Sequence, residues 1–283
     1  MKQVSAERYL GMYLSATAAD SVVTTVNKRI GLATRAIYEA RAIVEDKRSD
    51  IIGGLVASFE IFERSIVPMI LSGSEIWTPL PKKVLKKLDA LTVKHLRLTL
   101  GLGKKAGLIS AMYWSTGTLY MSNRILLNKV LFVFHLANLS EGLAKDFYDI
   151  QVSNSNLPSV VSECQTYFAE WNLNDIISYT KSQFRKIVKD KIFHKNRLEC
   201  LQSMRGLKKI NMDKCSEEKF ELNNFYKTLN VKESRLCFKI KYFLTPTIST
   251  NFKNDKKFKS QKYLCQDCIV KSKTDSFQGH EDS

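Results

Sequence analysis

Ile66-Val67-Pro68-Met69-Ile70-Leu71-Ser72-Gly73-Ser74-Glu75-Ile76-Trp77 opens the stretch that decides the fold. It continues through a basic segment, then Leu100-Gly101-Leu102-Gly103-Lys104-Lys105, and closes on Met112-Tyr113-Trp114-Ser115-Thr116-Gly117. Pro68 and Gly73 punctuate an apolar run and predict a turn before Trp77. Pro79 and Pro81 end that run and suit the first turn of a new helix. From Val84, the positions Val84, Leu88, Leu91, His95 and Leu98 recur every three or four residues, which is one helical face. Lys82, Lys83, Lys86, Lys87, Lys94 and Arg97 lie largely off that face. The helix therefore reads as apolar inside and cationic outside, and Gly101 ends it where a positive φ is wanted.

Outward from this stretch the chain is mostly helical. Tyr9-Leu10-Gly11-Met12-Tyr13-Leu14 alternates partly and reads as a short strand at the edge of something larger. Val22 to Asp46 is the clearest amphipathic helix, with Val22, Val26, Ile30, Ala33, Ile37, Ala40 and Val44 on one side. Lys28, Arg29, Arg35 and Arg41 sit mostly on the other, as either a phosphate-contacting face or a solvated one. Ile51 to Phe62 predicts a second helix with Ile51, Ile52, Leu55, Val56, Phe59 and Phe62 inward; Gly53-Gly54 marks a bend or a close approach. Ser122 to Leu139 is another, apolar at Ile125, Leu126, Val130, Val133, Phe134 and Ala137, with His135 read as a packed core residue. Gln151 to Pro158 is polar and turn-rich, a linker by composition. Shorter helices follow near Ser159–Trp171, Asn174–Leu201 and Ser216–Thr228. Lys239 to Lys262 interleaves basic residues with Tyr242, Phe243, Phe252 and Phe258, which suits phosphate contact with base stacking or a plain connector.

Composition narrows the function classes. With 12 glycines and 5 prolines in 283 residues, long helices are favoured over a sandwich or barrel. A 44% hydrophobic content is enough for a real core. No apolar run reaches the roughly 18 residues of a membrane span. The first residues, Met1 to Arg8, lack the apolar core of a signal peptide. The expected compartment is nuclear or cytoplasmic. The net charge of +16 favours a polyanionic partner, and the excess is spread along the chain: +7 over residues 1–150 and +9 over 151–283. That spread points to nucleic acid rather than a membrane surface.

Four of the six cysteines, Cys164, Cys200, Cys215 and Cys237, form no tight pattern and read as reduced thiols. Cys265-Gln266-Asp267-Cys268 has metal-like spacing but supplies two of the four ligands zinc requires. His280 is the one histidine beyond it. No Asp-Asp pair, phosphate-binding Walker loop, Gly-x-Ser-x-Gly or His-Glu-x-x-His occurs, so no catalytic constellation is visible.

The central stretch resembles the region after the catalytic palm in reverse transcriptases of non-LTR (LINE-like) retrotransposons. Pro68, Leu71, Gly73, Glu75 and Trp77 match that family's Pro-x-Leu-x-x-Gly-x-Glu-x-Trp segment; Arg97 and Gly101 match a helix ending in Arg-x-x-x-Gly. Thr116-Gly117 stands where the family usually has Glu-Gly. Tyr9-Leu10-Gly11 matches the motif closing the palm, with Arg8 in place of lysine, and Arg29-Ile30 the start of the first thumb helix. The resemblance implies a remnant of the palm edge strand over 1–20, a helical thumb-like domain over 21–148, a helical connector over 149–262 and a partial Cys-x-x-Cys knuckle over 263–283. The fold class it implies is mainly α, a helical bundle with a short N-terminal strand. In that alignment Asp282-Ser283 is the Asp-Ser pair of the knuckle, so Cys265 and Cys268 are half of a zinc site and His280 is a bystander.

The function implied is a non-catalytic, nucleic-acid-binding fragment of an RNA-directed DNA polymerase, inactive alone because the active-site carboxylates are missing. Its partner would be RNA or an RNA–DNA hybrid. The residues expected to meet phosphates are Lys28, Arg29, Arg35, Lys82, Lys83, Lys86, Lys87, Lys104 and Lys105. The alternative is a helical protein-interaction module whose basic faces only keep it soluble.

Overall fold

The computed structural model describes residues 7–9, 12–15, 17–48, 50–78, 80–103, 109–154, 156–173, 175–205 and 220–242. The fold is mainly α. Two three-residue strands, Glu7–Tyr9 (β1) and Met12–Leu14 (β2), pair antiparallel with Arg8 opposite Tyr13. The stretch read as one edge strand thus has two strands that pair with each other, and no third strand joins them among the described residues.

Helix α1 spans Ala18–Arg48 and starts where the Thr17 hydroxyl accepts the Asp20 N–H at 3.1 Å. Its buried side is Val22, Val26, Ala33, Ile37 and Ala40. Helix α2 is shorter than its hydrophobic pattern predicts, Gly54–Ile61. Gly53 takes a φ of +73° and gives its N–H to the Leu229 carbonyl at 3.0 Å. That reversal puts Ile51 and Ile52 outside the helix, and Ile52 is 67% exposed rather than inward.

A wide π-helical turn, Phe62–Ile66, leads into helix α3, Val67–Leu71. Pro68 sits inside this helical run and does not end it. Proline has no N–H for the Arg64 carbonyl, and the turn ahead of it is closed instead by Val67 N–H on the Phe62 carbonyl. Gly73 (φ +73°) then turns the chain into a 3₁₀ turn, Ser74–Ile76, which delivers Trp77 fully buried.

Helix α4, Lys82–Thr99, follows Pro81 as expected. It closes in a Schellman motif: Leu102 N–H to Arg97 O at 2.8 Å and Gly101 N–H to Leu98 O at 3.3 Å, with Gly101 at φ +62°. Helix α5 (Ile109–Thr116) ends the same way at Gly117. Then come α6 (Met121–Ala137), α7 (Leu143–Ser153), and α8 (Val160–Glu170), the last with a reciprocal Ser159–Ser162 capping box. A 3₁₀ turn (Ile176–Ser178) precedes the long helix α9 (Lys181–Arg205); α10 (Phe225–Thr228) and α11 (Val231–Lys241) follow.

Three apolar cores hold these helices. The first gathers Val22, Ile37, Phe62, Ile70, Trp77, Val84, Leu88 and Ile125 from α1, α3, α4 and the start of α6. The second joins α6, α8 and the first half of α9 through Val130, Val133, Phe134, Val161, Phe168, Phe184 and Val188. The third joins α2, α4 and α5 to the end of α9 and to α10–α11 through Leu55, Leu96, Tyr113, Met204, Tyr226 and Phe238. The second and third cores both take residues from either side of residue 148. Of the helix read near Ser216–Thr228, residues 216–219 lie outside the described residues and α10 begins at Phe225.

Candidate nucleic-acid interface

Helix α4 keeps Val84, Leu88, Leu91, His95 and Leu96 buried, and this inward face fixes where its cations go. Lys82, Lys83 and Lys86 are exposed, and none is in an ion pair with a described residue. The helix has one acid, Asp89, and it is turned away from that face. Its half-buried carboxylate accepts the Met121 N–H at 3.1 Å, at the start of α6. Burial raises its pKa, the amide hydrogen bond works against that, and nearby Glu199 adds to the rise. The outer side of α4 is therefore left cationic.

Helix α1 packs beside α4, which brings the two predicted basic segments together. Half-buried Lys87 donates from Nζ to the Asn27 Oδ1 at 2.6 Å, next to exposed Lys28. Lys94 lies over the Tyr38 ring, 4.7 Å from its centroid. Arg35 is exposed but shares its charge with Glu39 at 2.8 Å, one turn on.

Arg29 departs from expectation. It is 8% exposed, and its Nη1 donates to the carbonyls of Ile70 (3.1 Å) and Ser72 at the end of α3. The end of α3 leaves backbone acceptors inside the first core, and a buried guanidinium is held there by charge-assisted hydrogen bonds. It therefore leaves the phosphate-contacting set. Lys104 and Lys105 lie outside the described residues, as do Cys265, Cys268 and His280.

Two further expectations change. Tyr242, read among aromatics interleaved with lysines, is buried in the third core against Phe238 (centroids 4.9 Å). His135, read as packed, is exposed, because α6 turns Phe134, Leu136 and Ala137 inward around it. Among the described residues the buried histidine is His95.

A cavity of about 590 Å³ opens between α6, α8 and α9, and the charged groups on its wall are already engaged. Glu163 takes Lys129 at 2.5 Å, Glu199 takes the Asn123 amide at 2.8 Å, and Lys195 lies 4.7 Å over Tyr167. Burial pushes the thiols of Cys164 and Cys200 up to about 12, so neither is a thiolate at neutral pH. Among the described residues no three His, Cys, Asp or Glu side chains gather as metal ligands, and no helix is long and apolar enough to cross a membrane.

The sequence reading gave helix α9 no role. Its pitch carried the missed signal: Phe184, Val188, Ile192, Asn196, Cys200 and Met204, every fourth residue, are its buried stripe. Its eight basic residues against two acidic ones then fall mainly on the other sides. No protein-family model, no curated protein and no solved structure matches the chain.

Proposed function

We propose that the chain is a nucleic-acid-binding, non-catalytic piece of a reverse transcriptase of the non-LTR type, corresponding to the end of the palm, the thumb and the connector. The observation that carries this reading is the outer side of α4. Lys82, Lys83 and Lys86 stand exposed there while the helix's acid, Asp89, is taken up by the α6 backbone, and α1 adds Lys28 alongside. Cations on neighbouring helices held by one apolar core suit a phosphate backbone. The amide and the ring beside these lysines, Asn27 and Tyr38, are taken up by Lys87 and Lys94 rather than offered to base edges, so binding is sequence-tolerant. The partner is RNA or an RNA–DNA hybrid. The sequence lacks the Asp-Asp pair with which polymerases of that family hold two metal ions at a primer end, so this reading assigns the chain no catalysis of its own. Zinc would enter only if further ligands completed the pair Cys265 and Cys268.

The test is a salt titration of binding to an RNA–DNA hybrid and to single-stranded RNA. Affinity should fall with a log–log slope of about −0.9 per phosphate neutralised on a duplex and about −0.7 on a single strand. Replacing Lys82, Lys83, Lys86 and Lys87 together by alanine should flatten the slope by a few units and keep the helix content. No binding at low salt, or a full slope in the quadruple variant, removes these helices as the nucleic-acid surface.

A second reading, a protein-interaction module, is favoured by one feature. Helix α7 buries none of its residues; Leu143 is 89% exposed, and Phe147 and Ile150 follow at helical spacing beside an apolar groove of about 520 Å³ that includes Ile76, Phe132 and Leu157.

A further inference from the structure

Helix α9 carries a charge arrangement unlike that of α1 and longer than that of α4. Between Lys181 and His194 its only acid is Asp190, while Lys181, Arg185, Lys186, Lys189 and Lys191 are all exposed. None of the five forms an ion pair with a described residue. The contrast with α1 is direct: there Arg35 is paired with Glu39 and Arg29 is buried on carbonyls. On α9, Lys181, Arg185 and Lys189 stand at i, i+4 and i+8, one above the next. Like charges at that spacing repel and weaken a helix. A polyanion laid along the ladder relieves that repulsion.

The pitch of the helix gives the path a direction. Four residues rise about 6 Å, so a strand running along α9 meets a cation at each turn. Phe193 continues the path, seven residues beyond Lys186 and four beyond Lys189, on the same side. It is 38% exposed, and its ring is steadied edge-on by Phe220 at 6.3 Å. An open aromatic ring at the end of a cationic ladder is the combination that holds single-stranded nucleic acid, with phosphates on the cations and a base on the ring. Duplex has no unstacked base to offer such a ring.

We infer that the outer side of α9 is a second nucleic-acid surface, one that takes a single-stranded segment. Lys181, Arg185, Lys186 and Lys189 meet its phosphates and Phe193 stacks a base. This rests on the nucleic-acid reading above, and it adds a site on a helix packed against α5 and α6 rather than on α1 and α4.

The test uses the full chain, a labelled mixed-sequence single-stranded RNA, the matching RNA–DNA hybrid, and a series of salt concentrations. The triple variant R185Q/K186Q/K189Q removes three charges with a residue that favours helix. It should flatten the single-strand slope by about two units and leave the hybrid slope as it was. The variant F193A should weaken single-strand binding about tenfold with no change in slope. Circular dichroism of each variant checks that the helix content is kept, and R185A/K186A/K189A serves if the glutamine variant fails to fold. A full single-strand slope in the α9 variant, with a flattened one in the α4 variant, overturns the inference and leaves the nucleic-acid reading standing. Equal losses on hybrid and single strand overturn the single-strand assignment. Absence of binding by the unmodified chain removes both.

Discussion

His95 shows what burial does to a titratable group here. Its ring lies flat on Phe62, 4.1 Å between centroids and 4° between planes, and meets Phe59 edge-on at 6.2 Å. Its Nε2 has no hydrogen-bond partner. Burial disfavours the imidazolium and lowers the pKa from 6.5 to about 3. The unfolded chain then takes up a proton near pH 6.5 that the folded chain refuses until about pH 3. Stability is full above that window and is lost as pH falls through it, by at most about 1.4 kcal/mol per pH unit. His95→Phe keeps a flat ring on Phe62 and removes the proton site. Urea midpoints of this variant should change less with acidification below about pH 6.5 than those of the unmodified chain. Parallel midpoint–pH curves for the two proteins would mean that another group carries the linkage. The burial of His95 was legible in the sequence, since it falls in the register of Val84, Leu88 and Leu91. That of Arg29 was not. The buried stripe of α1 runs Val22, Val26, Arg29, Ala33, Ile37, Ala40 and passes through it, while its side-chain chemistry argued for solvent. What buries it is a pair of carbonyls 41 and 43 residues away, which no local pattern reveals.

At the scale of elements, helices with strong apolar periodicity were legible and their junctions were not. Val22, Val26, Ala33, Ile37 and Ala40 of α1, Val84, Leu88, Leu91 and His95 of α4 and the apolar face read in α6 are buried, Ile30 and Leu98 are half-buried, and Gly101 ends α4 as its backbone freedom predicts. The start of α2 was misplaced because Gly53 is held by the distant Leu229 carbonyl. The turn predicted before Trp77 comes from Gly73 alone, because a π-helical turn absorbs the missing donor of Pro68 and the helix runs through it. Of the candidate interface, Lys28, Lys82, Lys83 and Lys86 were placed outside correctly from pattern alone, whereas the outer side of α9 needed the structure. The clamp of Arg29 on α3 makes a prediction about elements. Replacing Arg29 by methionine leaves the acceptors of Ile70 and Ser72 buried without their charged donor and should cost about 2–3 kcal/mol in denaturant unfolding. The salt slope of nucleic-acid binding should stay unchanged in the same variant. A flattened slope with stability within about 0.5 kcal/mol of the unmodified chain would put Arg29 on the binding surface instead.

At the scale of the whole molecule, the cores are shared across the sequence. Helix α6 gives Met121 and Ile125 to the first core and Val130, Val133 and Phe134 to the second. The second is closed by α8 and α9, where Phe184 stacks on Phe134 with centroids 4.1 Å apart and Phe168 meets it edge-on. Polar contacts reinforce the join: Asn196 accepts the Tyr120 N–H (2.8 Å) and the Asn123 amide (3.0 Å), and Lys129, 1% exposed, is neutralised by Glu163. A chain ending at Ser153 would leave Val130, Val133 and Phe134 facing water and take Glu163 away from Lys129. The third core would lose Cys200, Met204, Tyr226 and Phe238. Losses of this kind remove specific packing while most helices remain, which is the condition for a molten state. The truncated chain should keep much of its far-ultraviolet helical signal, lose near-ultraviolet dichroism, bind a hydrophobic dye and melt without a sharp transition. A cooperative melt with a fixed near-ultraviolet spectrum would show that residues 1–153 form a self-sufficient unit, with α6 covered by another partner within it.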